Sequence, residues 1–65
     1  MQEMYYHFDP TQAELAALVQ EQAERSGALC EVERDEDGTG LLIHATVAFR
    51  AAMLLLEGVR PVWSV

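Results

Sequence analysis

The apolar and polar positions at the start of the chain predict a strand followed by a helix. Residues 3–8 alternate between apolar and more polar side chains, with the period of two that is typical of a strand. A helix start follows, because Asp9 suits the N-cap and Gln12 stands where a capping box needs it. An apolar stripe with helical spacing then runs toward Gly27, a typical helix stop. We therefore predict a helix over residues 10–26.

Two further alternating segments predict a β-hairpin. Residues 28–34 and 40–47 both alternate, and the Asp37-Gly38 pair between them is the strongest short signal for a hairpin turn. A two-residue turn there would bring the apolar sets onto one face, so the pattern and the turn agree on one register. That register predicts four cross-strand pairs: Val32 with Ile43, Cys30 with Ala45, Glu31 with His44, and Glu33 with Leu42.

The remaining residues predict a second helix and a last strand. Residues 48–57 are helical by composition, and Gly58 is suited to end the helix. Residues 59–65 have the character of a short strand, which Pro61 restricts to a sheet edge or a bulge.

The predicted order β-α-β-β-α-β indicates an α+β fold, a ferredoxin-like two-layer sandwich with an antiparallel sheet and both helices on one face. We expect the strand order 4-1-3-2, with residues 3–8 and 40–47 as the central strands. The alternative is an αββα core with frayed terminal strands. Either arrangement makes residues 1–65 a single small domain. The resemblance is to an architecture and to no specific family, and that architecture hosts many unrelated functions.

Composition excludes several classes of function. Eleven carboxylates stand against four arginines, with no lysine, so the net charge is −7. Such a chain lacks the clustered cations that direct binding to nucleic acid or to anionic lipid requires. A single cysteine excludes an internal disulfide framework and a multi-cysteine zinc site, and no cofactor motif is present. Because we find no membrane span and no basic signal-peptide start, we expect a cytoplasmic protein.

The second helix predicts a surface that binds protein. Phe49, Met53 and Leu56 form one of several apolar stripes, and a helix that is apolar all round is buried on more than one side. A chain of 65 residues supplies little to surround it, and small domains often gain stability by oligomerising. We therefore expect a homodimer, or a partner protein, at this stripe.

The open face of the sheet offers the weaker candidate chemistry. Tyr5, His7, Glu31 and His44 would share that face, where they could hold a divalent metal or a small ligand, or supply a histidine general base. The simpler interpretation is a partly exposed cross-strand pair of His44 and Glu31. Four more residues are predicted on the open face: Leu29, Glu33, Leu42 and Thr46. Either Val62 or Trp63 would join them. Cys30 would point into the core.

The hairpin tip is acidic. Glu33, Asp35, Glu36 and Asp37 would form a negative surface for a basic partner, or an imitation of nucleic acid. Charges at such a tip also protect an edge strand from aggregation.

These observations favour a non-enzymatic interaction module, a homodimer that binds and regulates or inhibits a partner protein, with no catalytic residue assigned. The alternatives are a ligand-binding or metal-binding domain on the open face, a small dimeric enzyme with a histidine base, and an acidic nucleic-acid mimic. If Phe49 lies on the binding surface, Phe49→Glu should abolish association and leave a folded or partly destabilised monomer.

Overall fold

A computed structural model describes residues 2–65 as two helices that pack on a four-stranded antiparallel sheet. The strands are β1 (Gln2–Phe8), β2 (Leu29–Asp35), β3 (Gly38–Ala45) and β4 (Trp63–Ser64). The helices are α1 (Ala13–Arg25) and α2 (Val47–Met53). The predicted α+β class is confirmed.

The sheet runs in the order β2-β3-β1-β4, which from the opposite edge is β4-β1-β3-β2. Each neighbouring pair is antiparallel. β1 pairs with neighbours on both sides, so the alternative of an αββα core with frayed terminal strands does not describe it, and β4 is short but paired. β4 lies at the sheet edge, as the proline at position 61 predicted.

The core lies on one face of the sheet, beneath both helices. Tyr6 is its centre: its ring stacks on Phe8 and meets Phe49 edge-on, each at a centroid distance of 6.3 Å. Buried side chains of this size each contribute about 1.5–3 kcal/mol. The buried apolar residues are Tyr6, Phe8, Ala16, Val19, Ala23, Ala28, Leu41, Ile43, Ala45, Phe49 and Met53.

The predicted capping box of Asp9 and Gln12 is present, but it caps a 3-10 turn that precedes the α-helix. The Asp9 carboxylate accepts from the Thr11 amide at 2.9 Å, and the Gln12 side chain accepts from the Asp9 amide at 3.2 Å. Residues Pro10–Gln12 form a 3-10 turn, so the α-helix itself begins at Ala13. Gly27 follows the helix with φ +71°, the left-handed conformation that a glycine stop supplies.

The hairpin is confirmed, but its predicted register is wrong by two residues. Glu36 and Asp37 form the turn, and Asp35 pairs with Gly38. Each side chain keeps its predicted face because a shift of two restores the alternation. The observed pairs are Cys30 with Ile43, Glu31 with Leu42, Val32 with Leu41, and Leu29 with His44.

The position of Gly38 explains why the predicted hairpin register is wrong. The Asp35 carboxylate accepts from the Asp37 amide at 2.8 Å, which shapes the turn without the glycine. Gly38 is the first residue of β3, with φ +124°, and a Cβ there would collide with the backbone of Phe8 and Asp9. The glycine is therefore needed for a close backbone approach rather than for the turn.

The second helix and the last strand are both shorter than predicted. The helix expected over residues 48–57 ends at Met53, and the strand expected over 59–65 is only Trp63–Ser64. The amides of Leu55 and Leu56 each bond to a carbonyl three residues back, at 3.1 Å, so the helix tightens as it ends. Gly58 then reverses the chain with φ +77°.

Thr46, predicted on the open face, caps α2 instead. Its hydroxyl accepts from the Phe49 amide at 3.1 Å and donates to the Ser26 carbonyl at 2.9 Å. This one side chain therefore joins the end of α1 to the start of α2.

Candidate interaction surfaces

The predicted apolar stripe of the second helix lies in the core. Phe49 has no exposed surface, Met53 is buried, and Leu56 is half-buried against the core. Phe49 and Met53 are four residues apart, so one helical face turns both toward the sheet. The expectation that this stripe is exposed is therefore wrong, because the sheet beneath α2 covers it.

Other side chains of the same segment are exposed. Leu54 is 86% exposed, Leu55 84% and Val47 80%. Val47, Arg50, Ala51 and Leu54 line a groove of about 300 Å³, and we call these four residues the α2 surface. A second groove of about 240 Å³ adjoins it, because Arg50 and Leu54 also line that groove, together with Tyr6 and parts of β1 and residues 59–61.

Charge is distributed unevenly along the chain. Residues 47–65 contain two arginines and one glutamate, whereas residues 1–46 contain ten carboxylates and two arginines. The α2 surface contains no carboxylate. It is therefore a surface where a like-charged molecule can approach with little repulsion.

The open face of the sheet contains the predicted residues except Thr46. Trp63 rather than Val62 joins them, because it pairs with Tyr5 across β1 and β4. The two rings stack with centroids 5.9 Å apart and planes 14° apart. Offset aromatic pairs of this kind contribute about 0.5–1.5 kcal/mol beyond burial. The stack places two aromatic side chains together on the open face, across β1 and β4.

His44 lies between two glutamates on this face. Its Nδ1 atom is 3.9 Å from the Glu3 carboxylate, and its Nε2 atom is 3.8 Å from the Glu31 carboxylate. Glu3 pairs directly with His44 across β1 and β3, whereas Glu31 reaches it diagonally. Both contacts become ion pairs only when the imidazole is protonated. Sequence reasoning missed Glu3, whose only signal was its place in the outward set of β1.

His7 does not join that group. It pairs with Gly40, four positions along β3 from His44, or about 13 Å at the usual strand rise. Within residues 2–65, no three His, Cys, Asp or Glu side chains are grouped to hold a metal ion. The structure thus keeps the four predicted ligand residues on one face without gathering them into a site. A wide depression of about 720 Å³ over residues 11–18 contains none of them.

A groove of about 320 Å³ crosses the open face beside β2. Gly40 forms part of its floor, and a Cβ on Gly40 would strike the ring and hydroxyl of Tyr5. The missing side chain therefore lets Tyr5 lie across the neighbouring strand and form one wall. The groove is lined by Tyr5, Glu31, Val32, Glu33, Gly40 and Leu42.

The acidic hairpin tip is exposed, as predicted. Glu33, Asp35, Glu36 and Asp37 are all solvent-accessible, and within the described part of the chain none has a cation within 4.0 Å. Glu33 lies opposite Gly40, so no side chain stands across from it on β3. These carboxylates therefore remain available to a cation from outside.

Cys30 points to the core side, as predicted, and is half-buried. Burial raises the pKa of its thiol, and Glu24 and Glu31 raise the pKa further. Its thiol therefore stays protonated to a higher pH than a free cysteine, which makes it a poor nucleophile.

No protein-family model matches the chain, and comparison with curated proteins and with solved structures gives no match. None of the helices in residues 2–65 has the length and apolarity needed to cross a bilayer.

Proposed function

We propose that the chain is a small acidic protein–protein interaction module on a ferredoxin-like sandwich, which forms a homodimer and regulates or inhibits a partner protein. The strand order β4-β1-β3-β2 and the antiparallel neighbours support the ferredoxin-like part. The second half of that architecture is reduced, with seven residues in α2 and two in β4.

The exposed α2 surface is the observation that carries the proposal. Leu54 and Val47 expose more than three quarters of their surface beside a groove, and Leu55 adds a third large apolar side chain. Contiguous apolar surface of this kind marks interaction sites in small proteins. Arg50 on the same surface is a residue type that is enriched at protein interfaces.

A second copy of the chain is the occupant that the charge distribution favours. Two molecules of net charge −7 repel each other through most approaches. Contact through the α2 surface avoids this, because residues 47–56 contain no carboxylate. A standard interface covers about 800 Å² per protomer. Four residues are too few to cover that area, so the contact must also include neighbouring residues such as those that line the adjoining groove.

Light scattering at several concentrations tests the dimer. We expect the wild-type protein to have the mass of two chains, and Ala51→Lys/Leu54→Lys to have the mass of one. Both positions are exposed, so the variant should keep the wild-type circular dichroism spectrum. Two extra cations beside Arg50 would oppose the approach of an identical surface.

Ala17→Lys/Leu29→Lys is the matched control, because it makes the same exchanges at exposed positions of α1 and β2. It should remain dimeric. A wild-type protein that stays monomeric at every concentration would overturn the homodimer, and equal effects of the two double variants would remove the α2 surface as its location.

A further inference from the structure

The free edge of β2 is the longest unpaired stretch of backbone in the described sheet. β2 pairs only with β3 over seven residues, whereas on the other side of the sheet the outer edge of β1 is partly covered by the short edge strand β4. On that covered edge the carbonyls of Tyr5 and Glu3 accept from Val62 at 2.6 Å and from Val65 at 2.8 Å. Six of the seven β2 residues are exposed, so nothing in residues 2–65 covers the free edge.

The hydrogen-bond pattern identifies the outward backbone groups. Strand residues alternate in the direction of their N–H and C=O groups. Because Glu3 and Tyr5 bond toward β4, the even-numbered residues of β1 bond toward β3. Following the register across β3 leaves three residues of β2 with both groups facing outward: Cys30, Val32 and Arg34.

A second copy of β2 fits this edge poorly. When two antiparallel strands continue one sheet, residues of the same face lie opposite each other. Glu31 would then face Glu31 or Glu33 of the second copy, and like charges directly opposite are destabilising. The same carboxylates would attract a strand with cations at alternate positions.

The groove beside β2 would receive such a cation. Glu31 and Glu33 provide the charge, Tyr5 provides an aromatic wall, and Leu42 provides apolar floor. Lysine and arginine bury an aliphatic stem while the charged head stays in water or over an aromatic face. Within residues 2–65, Glu33 has no cation within 4.0 Å, and Glu31 meets only His44, at 3.8 Å, a contact that is an ion pair only when the imidazole is protonated.

We propose that the free edge of β2 binds an extended basic segment of another protein, which adds a fifth strand to the sheet. Backbone bonds to Cys30, Val32 and Arg34 hold the segment, and its alternate Lys or Arg side chains lie against Glu31 and Glu33. This inference deepens the partner part of the proposed function, and it does not require the dimer, because α2 lies on the other side of the sheet.

An eight-residue peptide that alternates lysine with valine, blocked at both ends, is the probe. Its binding to isotope-labelled protein is followed by backbone amide NMR and hydrogen exchange. We expect slower exchange at the Cys30, Val32 and Arg34 amides and shifts at Tyr5. Glu31→Gln/Glu33→Gln should weaken binding about fivefold to tenfold, since each cross-strand charge pair is modest. Glu14→Gln/Glu57→Gln, equal in charge and distant in sequence, should bind like wild type.

Two altered peptides separate the components of the interaction. A peptide with glutamate for lysine should not bind, and one that is N-methylated at alternate residues should lose binding because it cannot bond along one edge. Equal binding of the methylated peptide would overturn strand addition, and equal binding of the acidic peptide would overturn the charge argument. No binding of the lysine peptide would overturn the inference altogether.

Repeating the titration with Ala51→Lys/Leu54→Lys keeps this inference separate from the dimer. Binding by that variant supports the β2 edge whether or not the wild-type protein dimerises. Protection of the β2 amides in the wild-type protein without peptide, if it rises with protein concentration, would place a second copy at this edge and overturn the inference.

Discussion

The sheet has two crossover connections, each containing one helix, and the two helices differ in length and in how many residues they bury. The first connects β1 to β2 through a 13-residue helix, which buries Ala16, Val19 and Ala23. The second connects β3 to β4 through a seven-residue helix, which buries only Phe49 and Met53. Asp9 caps the 3-10 turn that precedes α1, and Thr46 caps α2 directly. The second crossover therefore depends on one aromatic anchor, and its large apolar residues Val47, Leu54 and Leu55 stay exposed.

The largest expected effect comes from removing that anchor. Phe49→Ala should destabilise the protein by about 3–5 kcal/mol, because it empties the space against Tyr6. Val19→Ala, at an equally buried site of the first crossover, should cost about 2 kcal/mol. Urea unfolding of both variants measures the difference. Equal losses would contradict the dependence of the second crossover on one side chain.

The same burial changes the meaning of Phe49→Glu. An unpaired charge at a site with no exposed surface costs several kcal/mol, comparable to the whole stability of a small domain. We therefore expect that variant to be unfolded by circular dichroism, rather than a folded monomer. A folded, monomeric Phe49→Glu protein would restore the original expectation for this residue.

A smaller effect is expected at the junction between the two helices. Thr46→Ala removes the cap of α2 and the bond to the Ser26 carbonyl, and should cost about 1–2 kcal/mol. Thr46→Ser keeps the oxygen and should retain most of the stability. If thermal unfolding finds serine and alanine equally damaging, the hydroxyl does not join the crossovers in the way described.

The smallest effect is a loss of stability at alkaline pH. Burial raises the pKa of the Tyr6 phenol, and burial followed by Glu24 and Glu31 raises the pKa of the Cys30 thiol. A raised folded-state pKa gives stability that is complete below the unfolded pKa and is lost as pH rises through the folded pKa. We therefore expect stability to fall from about pH 9 upward.

Two variants show how much of that loss of stability comes from the Cys30 thiol and how much from the Tyr6 phenol. Cys30→Ala should flatten the lower part of the pH profile, and Tyr6→Phe the upper part, because unperturbed thiols ionise before phenols. Denaturant midpoints measured from pH 7 to 11 give the comparison. An unchanged profile in both variants would assign the alkaline loss to other groups.

The elements that could be predicted from the amino-acid sequence are those whose signals are local. Asp9, Gln12 and Gly27 bound the first helix through contacts a few residues away, and alternation placed each side chain of the hairpin on its observed face. The α+β class followed from the order of those elements. The exposed acidic tip followed from charge density alone.

Features that depend on residues far apart in the sequence became visible only in the folded chain. Gly38 begins β3, where its backbone lies close to that of Phe8, thirty positions earlier in the chain. Local turn preference instead placed Gly38 in the turn, which gave a hairpin register that differs from the observed one by two residues. Glu3 meets His44 through a pairing of β1 with β3 that no local pattern fixes. Phe49 and Leu54 are both apolar, and their burial differs because the sheet covers one face of α2 and nothing in residues 2–65 covers the other. Composition specifies how much apolar surface exists, whereas packing specifies which part is left for another molecule.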